Sequence, residues 1–116
     1  MQAENLVSLD RNSRDYRRLV CTVAFAFGRK LREQLGEDKY LELVVENGKR
    51  ADGSCASHDF CDANVLMDAA LASEGVTSPD AEDCADFHDC DEAYTELWNA
   101  AWDMWKANAV AQLVDP

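Results

Sequence analysis

Two short clusters hold both histidines and four of the five cysteines of this 116-residue chain. Cys55, His58 and Cys61 form a C-x2-H-x2-C run, and Cys84, His88 and Cys90 follow some twenty residues later as C-x3-H-x-C. Zinc takes four thiolate or imidazole ligands in a tetrahedron, commonly from two short-spaced pairs. Cys55, Cys61, Cys84 and Cys90, or a set in which His58 or His88 replaces one thiolate, therefore have the composition of a structural zinc site. The spacing departs from a standard finger, because C-x5-C is longer than the usual pair. The same residues also suit disulfides, or thiols that stay free in the core or at the surface. All three readings stand at this level.

Catalysis is not expected. Cys61 and His58 lie one helical turn apart, and a helix N-terminus lowers a thiol pKa. Asp59 and Asp62 flank the pair, however, and their charges oppose a thiolate.

The second feature is acidic. Residues 80–92 carry seven carboxylates in thirteen positions: Asp80, Glu82, Asp83, Asp86, Asp89, Asp91 and Glu92. A calcium loop of the EF-hand type needs a central glycine, and none is present there. The run reads either as a solvated loop and helix start or as a docking surface, with Phe87 the apolar anchor among the charges. The whole chain has a formal net charge of −12. Residues 1–50 carry ten basic against eight acidic side chains, whereas residues 51–116 carry one, Lys106, against fifteen. Such a field repels nucleic acid and anionic membranes and draws basic protein surfaces. Carboxylates facing a basic groove would stand where phosphates otherwise lie, as in a DNA mimic. No nucleic-acid reader motif accompanies the basic residues.

These groups need a scaffold. Asp10, Asn12 or Ser13 can cap a first long helix whose apolar stripe is Tyr16, Leu19, Val20, Val23, Phe27, Leu31 and Leu35. Gly36 suits its end. A shorter helix is predicted over 38–46, stopped by Asn47 and Gly48; the alternation at Leu41, Glu42 and Leu43 offers a strand instead, but no convincing partner strand exists. Residues 47–57 read as a loop. A third helix, capped by Ser57, should run to Glu74 before Gly75. A fourth is predicted over 89–113, with Tyr94, Leu97, Trp98, Ala101, Trp102, Trp105, Ala109 and Leu113 inward. The three tryptophans serve the core or, in part, a homodimer contact. Residues 1–9 read as a loosely held arm.

The fold expected is therefore one all-α domain, a compact bundle of about four helices with the first and last packed together, antiparallel neighbours being the default. At 12.9 kDa the chain suits a single domain. The opening residues are polar, with no secretory h-region, and the longest apolar run, at 20–27, is too short to span a bilayer. A cytoplasmic protein with reduced cysteines is the expectation.

The block SHDFCDANVLM at 57–67 resembles a short motif of small proteins from phages and mobile elements. Short, strongly acidic, helical and cysteine-bearing, the chain also resembles the anti-CRISPR proteins that phages direct at type I systems. That resemblance implies a phage-encoded, non-enzymatic inhibitor acting in the host cytoplasm. Its partner would be a Cas protein, such as the nuclease-helicase or the targeting complex. No metal or other cofactor is implied, and no residue role follows from the resemblance.

Overall fold

The computed structural model describes residues 3–49, 62–77 and 87–114. Among these residues there are five helices and no strand: α1 (Ala3–Ser8), α2 (Arg14–Leu35), α3 (Glu37–Lys49), α4 (Ala63–Ser73) and α5 (Phe87–Val114). The all-α expectation holds, and α2 and α5 do form the centre.

Of the three offered caps, Ser13 is the one used. Its backbone is extended, and its hydroxyl accepts from the Tyr16 N–H at 3.1 Å while donating to the Asp10 carbonyl at 2.6 Å. Gly36 ends α2 with φ of 81°, a conformation that favours glycine, and donates to the Arg32 carbonyl at 2.8 Å. Its own carbonyl accepts from Tyr40, so α3 begins at once.

Three boundaries differ from the sequence reading. Helix α3 continues through Asn47 and Gly48 to Lys49, because Tyr40, Leu43, Val44 and Asn47 make one buried face that outweighs the local turn signal. Helix α4 is capped by Asp62 rather than Ser57: the Asp62 carboxylate accepts from the Val65 N–H at 3.4 Å. Its far end closes as expected at Gly75, whose N–H donates to Ala72, while Val76 donates back to Leu71 at 2.9 Å. Val76 and Leu71 are both buried, completing a Schellman turn.

The third correction concerns the opening segment. From Ala3 on it is not a loose arm, since α1 packs on α5 with Leu6 fully buried. Arg11 fastens it, donating to the carbonyls of Leu6 at 2.9 Å and Leu9 at 2.6 Å. The same guanidinium pairs with Glu96 at 3.1 Å and lies 5.1 Å from the centre of the Tyr16 ring.

The two long helices run in the same direction. Arg11 meets Glu96, Phe27 meets Trp102 and Trp105, and Arg32 shares a cleft with Gln112, so contacts advance together along both. The antiparallel default fails here because two further helices, α3 and α4, intervene in the chain and allow a return. Helix α2 packs against α3, α4 and α5, which is why Ala24, Ala26 and Gly28, off the main stripe, are buried as well.

Aromatic rings fill the seam. Phe27 stacks on Trp102 at 5.5 Å between centroids and meets Trp105 edge-on at 5.3 Å. Trp98 is half-buried and stacks on Trp102 at 4.8 Å. Trp102 and Trp105 thus belong to the core. No helix among the described residues is long and apolar enough to cross a membrane.

Candidate functional site

Helix α5 sets five of the chain's carboxylates in order: Asp89, Asp91, Glu92, Glu96 and Asp103. Cys90, Ala93, Tyr94, Leu97, Ala101, Trp105 and Ala109 take its buried side. Opposite them, Asp89, Glu92, Glu96, Asn99 and Asp103 recur at helical spacing and are all exposed. This solvent stripe holds four carboxylates and no base. It extends over about 21 Å at the helical rise of ~1.5 Å per residue. Asp91 is also exposed, to one side of the stripe.

Two polar contacts fix the scaffold beneath it. Glu96 is held by Arg11, as described. On the neighbouring face the Tyr94 hydroxyl donates to the Asp68 carboxylate of α4 at 2.8 Å. Burial raises the Tyr94 phenol pKa far above its ordinary value, and the Asp68 hydrogen bond and charge add to that. Tyr16 is shifted the same way by burial and by Glu96, with Arg11 pulling against them.

The residues expected to dock a partner are placed in part. Asp89, Asp91 and Glu92 are exposed near the start of α5. Phe87 opens the helix, and Asp80, Glu82, Asp83 and Asp86 lie outside the described residues. Glu96 and Asp103 belong to the same stripe and were not singled out. Their signal was present: acidic residues at period 3.6 opposite the tryptophans.

Of the six candidate metal ligands, Cys55, His58, Cys61 and Cys84 lie outside the described residues, and His88 falls in the first turn of α5. Cys90 is buried and disulfide-bonded. A sulfur in a disulfide is not a thiolate, so in this form Cys90 follows the disulfide reading rather than the zinc one. It also departs from the reduced thiols expected. The fifth cysteine, Cys21, is free and exposed on α2.

A second feature is concave. Cys21, Phe25, Arg29 and Arg32 recur along one side of α2 and face Asn108, Ala109 and Gln112 of α5 across a cleft of about 370 Å³. Tyr40 and Trp105 form aromatic walls, and Gly28 lies between them. The Trp105 N–H donates to the Tyr40 hydroxyl at 3.2 Å, and the Arg32 guanidinium sits 4.7 Å from the Tyr40 ring centre.

No protein family, no curated protein and no solved structure matches the chain.

Proposed function

We propose that the protein is a non-catalytic inhibitory binding domain that lays the acidic stripe of α5 along a basic groove of a partner protein. The observation that supports this reading is the row Asp89, Glu92, Glu96 and Asp103, exposed along one face of α5, with Glu96 held in place by Arg11. A groove shaped for nucleic acid presents spaced Lys and Arg, and carboxylates on a helix meet them as phosphates would. The anti-CRISPR resemblance gives the partner class: a DNA-binding component of a type I CRISPR–Cas system, blocked from its DNA. Exposed charge pairs are worth only ~0.2–1 kcal/mol each, so charge governs chiefly the association rate, and apolar contacts must supply much of the affinity.

The test is displacement of double-stranded DNA from purified type I nuclease-helicase and, separately, from the targeting complex. The parent protein should displace DNA from one of them. The variant Asp89→Asn, Glu92→Gln, Asp103→Asn should keep its melting temperature, associate more slowly and depend less on salt. Failure of the parent on both targets rejects the partner class; equal inhibition by the variant at physiological salt rejects the stripe.

A small structural or regulatory role stabilised by cystine is the second reading, favoured by the disulfide at Cys90.

A further inference from the structure

The cleft between α2 and α5 is lined on its α2 side by basic and aromatic side chains. Acidic residues outnumber basic ones by 23 to 11 in the chain, yet no lining residue of this cleft is acidic. Arg29 and Arg32 stand on its rim, and neither has a carboxylate within ion-pair distance among the described residues. Arg29 lies over the Phe25 ring at 5.9 Å and Arg32 over the Tyr40 ring at 4.7 Å, so two guanidiniums stand at one concavity, while Glu37 and Asp38 line the adjoining hollow that shares Arg32 and Tyr40.

The remaining walls suit a flat ring. Phe25 is 71% exposed and offers most of the ring surface, whereas Tyr40 and Trp105 reach the floor of the cleft from the core and are only 8% and 4% exposed. The Trp105 N–H is already taken by Tyr40, so the indole offers apolar surface rather than a donor. Asn108 and Gln112 add carboxamides on the α5 side, each able to donate and accept. At about 370 Å³ the cleft falls in the size range of small-molecule sites, which span ~300–1,000 Å³. Gly28 helps make this shape. A Cβ there would lie 3.0 Å from the Trp105 ring.

The geometry points to a binding site for a small aromatic anion, its ring held among Phe25, Tyr40 and Trp105 and its carboxylate, sulfonate or phosphate held by Arg29 and Arg32. Guanidinium forks match such oxyanions in two-pronged fashion, and the ring contacts need no further polar partner. The site is separate from the acidic stripe, so either function stands without the other.

Anilinonaphthalene sulfonate is a suitable probe, with the uncharged phenylnaphthylamine as its partner lacking the anion. Titrated into the folded, full-length protein, the sulfonate should bind saturably at one site per chain and slow the alkylation of Cys21 by iodoacetamide, located by mass spectrometry. Arg29→Gln with Arg32→Gln should weaken the sulfonate about tenfold or more, as expected for lost hydrogen bonds to a charged group. It should leave the neutral probe unchanged. Equal binding of the two probes by the parent protein, multi-site binding, or unaltered Cys21 alkylation would each overturn the assignment. The Cys21 readout needs no substitution, so it decides the matter even if the arginine variant folds poorly.

Discussion

The indole N–H of Trp105 donates to the hydroxyl of Tyr40 at 3.2 Å, joining two buried side chains 65 positions apart. It ties α3 to α5 on the side where α2 also packs. Tyr40→Phe keeps the ring and removes the acceptor, leaving a buried donor without its partner. The expected cost is about 1–3 kcal/mol in urea unfolding. Trp105→Phe in the same background should add less than its cost alone, as a double-mutant cycle would show.

Gly28 sets how closely α2 approaches this pair. A Cβ would meet Trp105 Cδ1 at 3.0 Å and Nε1 at 3.1 Å, and that ring is held by both Phe27 and Tyr40. Gly28→Val should therefore destabilise by about 1–3 kcal/mol through overpacking. Gly28→Ala should cost less, since the gain in helix propensity of up to ~1 kcal/mol offsets the contact. Thermal melts of the two variants give the order.

Alkaline pH should loosen the α4–α5 contact. Tyr94 carries its proton in the folded state to a pH well above the ordinary phenol range, for the reasons of burial and Asp68 given above. Its stabilising contribution is then fully present below about pH 10, the unfolded value, and falls as pH rises beyond it. Tyr16, also raised, contributes in the same direction. Tyr94→Phe should flatten the decline in stability above pH 10, and an unchanged slope would show that Tyr94 does not drive it.

Arg11 closes the N-terminal end of the bundle through two carbonyls and Glu96. Arg11→Ala should cost about 1–2 kcal/mol and raise amide exchange in α1 before the rest of the fold. Leu6→Ala, by emptying a fully buried position, should cost about 2–5 kcal/mol.

The cystine at Cys90 separates the disulfide reading from the zinc one. Cys90→Ser or a thiol reductant should lower stability by about 2–4 kcal/mol, while a chelator should leave the melt unchanged. A chelator-sensitive melt in reduced protein would instead return the zinc reading, four ligands drawn from the two clusters.

Much of this fold was legible in the chain. The stripes from Tyr16 to Leu35 and from Tyr94 to Ala109 were clear because a helix buried along one side writes its period into the sequence. What failed was what tertiary contacts decide. Asn47 and Gly48 signal a stop locally, yet the burial of Asn47 beside Leu43 and Val44 keeps α3 wound. Leu6 is one buried leucine on a six-residue helix, too short for a period to show. The direction in which α2 meets α5 leaves no mark on either stripe. The acidic character was legible too, but its run was read along the sequence, whereas α5 displays it by helical turn and so recruits Glu96 and Asp103. Phe25 and its neighbouring arginines were passed over because they lie off the apolar stripe, where a side chain is ordinarily just solvated.

The same-way pairing of α2 and α5 has a consequence for synthesis on the ribosome. Phe27 leaves the exit tunnel early, but the rings it stacks on, Trp102 and Trp105, are some seventy-five positions further on. Helices α1 to α4 all precede in the chain the helix that closes their central seam. The core therefore cannot close on those helices alone: it waits for contacts between segments far apart in the chain, which form more slowly than contacts between neighbours. Until α5 is in place, Phe27 lacks both of the rings it packs on in the folded protein, Trp102 and Trp105.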